Sequence, residues 1–398
     1  LWIGSSHDGA AIIDQTPYLF SKLTIPKEEV RPFIRVITKD SANNLWIGVK
    51  LGGLYMLKDG KYTKFPIATN QDFNAIMEDS RKRIWILTNK NVYVYKEQRL
   101  FNLTDIPGVP TDIYEQILAA SAIVEDNNGA IWIGGTGQFV RIKGLFTSDV
   151  SFHYYNTSYT EGCFCMDKDS EGRIWLGTRS NGLFVMTLNT SSEILKAQSL
   201  NTRGSQIWDI CFSKSGKWVW VATDSGLDSF GYSSLEPNAV SLDAHEKLIN
   251  HKVLNVTEVD DGSIWLNTSQ GLLHYNPQTK YYREYYNSDG LCSSCLTDAG
   301  CLAADGTLYV GSVNGINYFN PLEIKEQRRN VQIQITSLKI HNQTVMPNQK
   351  INGSIPLKHA IMDVDNIYIS YRNNNFSFEF TAPRFISPKK IYYAYKLQ

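Results

Sequence analysis

One short pattern recurs from end to end of the chain: an aliphatic residue, a Trp, a second aliphatic residue, then usually Gly. It opens the sequence as Leu1-Trp2-Ile3-Gly4. Leu45-Trp46-Ile47-Gly48, Ile84-Trp85-Ile86-Leu87, Ile131-Trp132-Ile133-Gly134, Ile174-Trp175-Leu176-Gly177, Val219-Trp220-Val221-Ala222 and Ile264-Trp265-Leu266-Asn267 follow, and Leu308-Tyr309-Val310-Gly311 closes the series with Tyr for Trp. Successive aromatics lie 39 to 47 residues apart. Each unit has one grammar. A short apolar run such as Ala119–Val124 or Val253–Val256 comes first. A polar turn follows, often with Gly three residues before the Trp (Gly129, Gly172, Gly262, Gly306). After the Trp strand come a second Gly turn (Gly53, Gly182, Gly226, Gly271, Gly315), a third strand such as Leu272–Tyr275, and often a polar fourth strand such as Lys280–Tyr286.

Short β-rich runs separated by Gly turns at regular spacing predict consecutive antiparallel strands. Four strands per unit, repeated near 44 residues, predict an all-β fold: a seven-bladed β-propeller of four-stranded antiparallel blades. The Trp of each blade, flanked by apolar residues, is expected to fill the wedge between neighbouring sheets, burying roughly 150–250 Å². Blades are counted by the aromatics at 46, 85, 132, 175, 220, 265 and 309. The last unit lacks its own outer strand after Phe319, and Tyr18–Ile25 is expected to supply it and close the ring. An eight-bladed ring is the alternative. On this reading residues 1–14 are the remnant of a preceding blade, 15–325 form the propeller, and the chain is a fragment that begins within a repeat.

After Arg329 the grammar changes. Val331–Ile335, Ser337–Ile340, Ile367–Ser370 and Phe376–Phe380 alternate as strands, and no Trp remains. Residues 330–398 are therefore expected to be the N-terminal part of an immunoglobulin-like β-sandwich.

Composition narrows the function. Formal net charge is +0, with no Lys/Arg run of the kind a phosphate backbone requires, so no nucleic-acid partner is expected. No apolar run approaches the ~20 residues that span a bilayer. Of six cysteines, Cys163, Cys165 and Cys211 read as small buried strand residues. Cys292, Cys295 and Cys301 lack the second Cys or His pair of a zinc site, so no metal is expected, though a disulfide among them stays open.

The repeats resemble the two-component regulator propeller repeat, in which an Asp-containing turn precedes Leu/Ile-Trp-Ile-Gly-Thr and then Gly-Leu. Asp126-Asn-Asn-Gly129-Ala-Ile-Trp132-Ile-Gly134 and Asp169-Ser-Glu-Gly172-Arg-Ile-Trp175-Leu-Gly-Thr178 carry the likeness. The units around Asn89–Val92 and Lys214–Val221 depart from it: the first lacks the second Gly, and the second carries an extra residue. Asp305–Pro321 resembles the family's terminal blade, and residues 331–398 resemble the start of the triple-tyrosine domain, with Tyr392, Tyr393 and Tyr395 as its aromatics. The resemblance implies the periplasmic sensor region of a Bacteroidetes hybrid two-component system, anchored in the inner membrane only through flanking segments. It implies an oligosaccharide signal relayed to a histidine kinase outside this chain for transcription regulation, and a homodimer formed through the sandwich.

Enzyme signatures are sparse. Only Glu258-Val-Asp260-Asp-Gly262-Ser-Ile-Trp265 approaches a sialidase Asp box, and it has Glu where Ser or Thr belongs. No Gly-x-Ser-x-Gly elbow or His-Glu-x-x-His is present, so no catalytic residue or cofactor is expected. Binding is better supported, because loops on a rigid scaffold carry function. The loops between blades hold Arg31, Phe33, Asp72, Tyr114, Glu115, Tyr159, Glu161, Arg203, Gln206 and His251. The loops after the Trp strand hold Lys50, Asn89, Lys90, Gln138, Arg179, Asn181, Asp224 and Gln270. Arg31, Lys50, Lys90, Tyr114, Tyr159, Arg179, Arg203 and His251 are the candidate ligand residues. A glycan-processing lyase or hydrolase and a protein-interaction scaffold are the competing readings.

Overall fold

The computed structural model describes residues 2–4, 10–12, 19–26, 32–67, 70–117, 119–136, 138–156, 162–236, 251–324, 333–364 and 366–382. It divides into two compact units, one of residues 18–324 and one of residues 1–17 with 325–398.

The first unit is a seven-bladed propeller. Its sheets begin with the strands Ile34–Lys39, Phe73–Glu78, Ala122–Glu125, Cys163–Lys168, Ile207–Phe212, Val253–Glu258 and Leu296–Leu302, which open blades one to seven. These first strands are neighbours in a closed ring, the seventh lying beside the first. Within each blade the strands follow in antiparallel order. The seventh blade takes its fourth strand from Ser21–Leu23, with Ile316 paired to Leu23 and Tyr318 to Ser21. Phe20 is buried behind this join, with its ring 5.1 Å from Tyr285 and 4.8 Å from Phe319. In the fifth blade only three strands are present among the described residues.

The Trp side chains at 46, 85, 132, 175 and 265 are fully buried. Each joins a cluster that spans two blades: Trp46 packs with Phe73, Ile76, Ile84 and Ile86 of the next blade. The Gly two residues after the Trp has a steric origin. A Cβ on Gly48 would sit 2.6 Å from Phe73 Cβ, and one on Gly177 would sit 2.7 Å from Ile207 Cγ2. The next blade's first strand occupies that space.

The Trp does more than fill volume. Its indole N–H donates to an Asp six residues earlier: Trp46 to Asp40 Oδ2 at 2.8 Å, Trp85 to Asp79 at 2.8 Å, Trp132 to Asp126 at 2.9 Å and Trp175 to Asp169 at 2.8 Å. The other carboxylate oxygen accepts two turn amides, such as Glu171 N–H and Arg173 N–H at Asp169. One side chain thus satisfies the turn and ties it to the core, which a buried polar group requires. In blade five the indole of Trp220 reaches Glu258 Oε2 of the next blade instead, at 2.6 Å. In blade six Val259 stands where the Asp would be, and Trp265 Nε1 has no partner. Ser41 and Ser80 add latches between blades, each donating through N–H and Oγ to the next blade's Glu78 or Glu125.

In the second unit, Trp2–Gly4 pairs with Ala10–Ile12. Gln334–Ile340 pairs with Phe376–Thr381 and with Gln343–Thr344. Among the described residues, the strands expected at 331–335 and 337–340 run as one strand, Gln334–Ile340, with a bulge between Ile335 and Ser337. Ile367–Ser370 is not a strand. Its Ile367 and Ile369 pack against the buried Leu338, Ile340, Val345 and Leu357, and the segment runs into a 3₁₀ turn at Tyr371–Asn373. Tyr392, Tyr393 and Tyr395 lie outside the described residues. All six cysteines are free thiols.

Candidate functional site at the channel mouth

The ring of first strands surrounds the propeller axis. Each first strand begins where a loop from the preceding blade enters, and there the ladder is irregular in six blades. A bulge leaves one residue unpaired and re-aims its side chain. The residues released this way are Arg35, Asn74, Phe164, Trp208 and Leu254, and Asp298 lies in the longer irregularity of blade seven. Backbone bonds bring the two loop sets together at this end: Lys50 N–H to Phe33 O, Asn89 to Asp72, Arg179 to Gly162 and Asp224 to Gln206.

These side chains form an arc over five blades. Arg179 lies over the Phe164 ring, 4.9 Å from its centroid. Phe164 stacks on Trp208 with centroids 4.5 Å apart and an interplanar angle of 23°. Lys252 covers the Trp208 ring at 3.9 Å. Asp298 meets Arg35 at 3.5 Å. Burial pushes the Lys252 ammonium down, while the Asp224 and Asp298 carboxylates hold it up. Burial likewise raises Asp298, against the opposing pull of Arg35 and Lys252.

Several polar atoms of the arc have no hydrogen-bond partner: Trp208 Nε1, Arg35 Nε and Asp298 Oδ1. An unmade hydrogen bond at a buried atom costs about 1–3 kcal/mol. These two donors and one acceptor, from blades five, one and seven, lie beneath the rim's surface, and the Asp298 oxygen is the one that faces Arg35.

Deeper along the first strands lie two more acids. Asp209 accepts Asn255 Nδ2–H at 2.7 Å and Val256 N–H at 2.9 Å, and burial raises its pKa to about 7. Burial raises Asp167 to about 6. The Asp167 carboxylate adds to the rise at Asp209.

The residues expected from the loop pattern divide. Lys50 and Arg179 lie at the rim, Lys50 with its ammonium 5.2 Å from the Phe33 ring centroid. Lys90 is exposed on the corresponding loop of blade two, its N–H on Thr88 Oγ1. His251 is half-buried next to Lys252. Tyr114 sits on a one-turn helix, Ile113–Gln116, not on an open loop. Its hydroxyl bonds the backbone of Val92 and the side chain of Asn102, within the cluster between blades two and three. The Arg203 guanidinium is held by Asp228 and Leu227 O. Arg31 and Tyr159 lie outside the described residues. Arg35, Phe164, Trp208, Lys252 and Asp298 stand at this rim as well and were not among the residues expected from the loop pattern. Trp208 carried a usable signal: it is a Trp on a first strand, outside the repeating Trp position.

No family model matches the chain. A curated relative, histidine kinase P4 of Formosa agariphila, is 28% identical over 291 residues, covering 69% of this chain and 20% of the relative. Among solved structures, the extracellular domain of BT3049 of B. thetaiotaomicron, named as a hybrid two-component system, aligns with a TM-score of 0.70 at 21% identity. That alignment covers 96% of this chain and 51% of the other. The extracellular domain of BT4673 of the same species, named as a one-component system, aligns at 0.60 and 14% identity, covering 81% and 44%. A streptogramin B lyase aligns at 0.56 and 13%, covering 75% and 95%. This chain thus spans one fifth of the length of its curated relative and about half of the first structural neighbour. By fold it matches the extracellular propeller domains of B. thetaiotaomicron signalling systems, and by sequence it matches part of a histidine kinase.

Proposed function

We propose that this chain is the extracytoplasmic ligand-sensing region of a hybrid two-component histidine kinase, non-catalytic in itself, and that its ligand is an oligosaccharide bound over the channel mouth. The observation that carries the site is the arc itself, Phe164 stacked on Trp208 and flanked by Arg179, Lys252, Arg35 and Asp298. Sugars present alternating hydroxyls that donate and accept, which suits such a set, and aromatic rings supply the apolar contact. The likeness to extracellular domains of signalling systems supports the sensing role and the extracytoplasmic location. A ligand signals only if it binds one conformation better than another. A site built from five blades can register such a difference.

The test is calorimetric titration of this chain with plant and host oligosaccharides, with products followed by chromatography. Saturable binding without turnover, lost in Trp208→Ala, is the expected result. Sustained product formation overturns the sensing reading, and binding untouched by Trp208→Ala overturns the location of the site.

A further inference from the structure

A cavity of about 400 Å³ opens on the outer flank of the ring, where blade two meets blade three. That volume lies within the range of small-molecule sites. The hairpin joining the outer strands of blade two, Val92–Lys96 and Arg99–Asn102, lines it with Lys96, Glu97, Arg99 and Phe101. The short turn after that hairpin adds Asp105, and the loop after Gln138–Lys143 of blade three adds Phe146. The apolar part is built in advance. Phe101 and Phe146 meet edge to face, with centroids 5.3 Å apart. Phe146 is the third residue of a turn closed by Thr147 N–H on Gly144 O at 2.9 Å. Its φ of +68° is one that glycine adopts freely and an aromatic residue rarely does. Arg83 pins the turn: its guanidinium donates to Leu145 O at 3.0 Å and to Asp79 at 2.6 Å. A loop that accepts backbone strain to set a ring in a cavity wall points to a use for that ring.

The charges of the cavity divide. Lys96 and Glu97 are spent on one another at 3.0 Å, with the Lys96 ammonium 5.0 Å from the Phe146 ring centroid. Arg99 and Asp105 are exposed, and among the described residues neither side chain has a hydrogen bond or ion pair, even with the other. One cation and one carboxylate thus stay apart on the walls of a cavity whose four charges cancel. We propose that this cavity is a second ligand site, independent of the channel mouth, and that it takes a free aromatic amino acid. The ligand's carboxylate accepts the two-pronged bond that the Arg99 guanidinium offers. Its ammonium donates to Asp105, and its ring packs against Phe101 and Phe146. A ligand with a single charge leaves one wall unanswered, and a neutral sugar brings a full charge to neither.

The experiment is saturation-transfer NMR on the intact chain with L-tryptophan, N-acetyl-L-tryptophan and tryptamine, with affinities taken by titration. The acetyl group removes the ammonium, and tryptamine lacks the carboxylate. L-tryptophan should bind at sub-millimolar concentration, and each analogue roughly two- to fivefold more weakly, the worth of an exposed ion pair. Asp105→Asn should abolish only the preference over N-acetyl-L-tryptophan, and Arg99→Gln only the preference over tryptamine. Phe146→Gly, which suits the φ of the turn, should remove binding of all three, with circular dichroism checking its fold. Trp208→Ala at the channel mouth should change none of this. Silence of L-tryptophan at millimolar concentration, equal affinity for the three probes, or preferences that survive both Asp105→Asn and Arg99→Gln overturns the inference. Loss of binding in Trp208→Ala overturns the location. Methyl glucoside bound in the absence of any L-tryptophan binding, and lost in Phe146→Gly, overturns the amino-acid assignment in favour of a sugar.

Discussion

Asp169→Ala tests whether the Trp of each blade is held by chemistry or only by volume. Asp169 makes four hydrogen bonds. It accepts Glu171 N–H at 3.0 Å and Arg173 N–H at 2.9 Å on one oxygen, and Trp175 Nε1–H at 2.8 Å and Arg173 Nε–H at 2.6 Å on the other. Glu171 is exposed, so water replaces part of what the turn amides lose. Trp175 is fully buried, and its orphaned N–H costs about 1–3 kcal/mol. Arg173 is nearly buried and loses its closest carboxylate, though Glu171 at 3.3 Å and Tyr232 O at 3.0 Å remain. With those partners left, the total should be about 3–5 kcal/mol, the range for breaking a buried pair. The assay is urea unfolding followed by Trp fluorescence, for Asp169→Ala, Trp175→Phe and the double variant. Phe removes the donor together with part of the ring, and the cycle subtracts the lost volume because it is the same with and without the carboxylate. A coupling of about 1–2 kcal/mol is expected. A cost for Asp169→Ala within about 0.5 kcal/mol of zero, the range of an inert surface change, would refute the reasoning. The Trp would then be filler, and the blade-six arrangement around Trp265, which has no such bond, would be the energetic norm.

Two further perturbations probe closure and the channel. Phe20→Ala should cost about 3–5 kcal/mol, because Phe20 is buried between Tyr285 and Phe319 where the donated strand completes blade seven; thermal unfolding reads it, and a loss below about 1 kcal/mol would separate closure from this side chain. Asp209→Asn should change how stability depends on pH. Burial raises the Asp209 pKa from its ordinary value to about 7, so the folded state binds the proton more tightly than the unfolded chain does. Stability from this group is full below the unfolded pKa and falls as pH rises toward 7. Asn keeps an oxygen for Asn255 and Val256 and carries no charge, so the variant should be relatively more stable at pH 8 than at pH 5. Equal pH slopes for the two proteins in denaturant melts would show that Asp209 is solvated through the channel.

The parts of this fold legible in the sequence are those that packing dictates once per blade. Trp46, Trp85, Trp132 and Trp175 recur because each wedge between sheets has the same width. Gly48 and Gly177 recur because the next first strand leaves no room for a Cβ. The Asp at positions 40, 79, 126 and 169 recurs because one carboxylate serves both turn and indole. The seven-blade count and the strand from the N-terminal side follow from the same periodicity. Less regular features escaped. The strand expected at 367–370 has apolar alternation, yet Ile367 and Ile369 serve as plugs over a small core. Tyr114 has the composition of a rim residue, but its hydroxyl is drawn under a neighbouring blade by Val92.

The candidate site escaped for a related reason. A repeat constrains the residues that fill the same wedge in every blade, and the residue that a bulge releases from the ladder in five of the first strands is not one of them. Arg35, Asn74, Phe164, Trp208 and Leu254 occupy one structural position and share no chemistry. That disparity is what a sevenfold scaffold needs to bind an asymmetric ligand, since seven identical side chains around an axis cannot distinguish one end of a sugar from the other. The positions where the repeat falls silent are therefore the place to look for specificity. In this chain they bring an aromatic pair, a weakly paired guanidinium and a capped ammonium to the same rim. Swapping Trp208 and Leu254 between their equivalent positions would leave the repeat grammar intact. It should abolish ligand binding while changing stability by less than the loss of Asp169 does, and unfolding and titration of the same variant would show whether binding resides in those unconstrained positions.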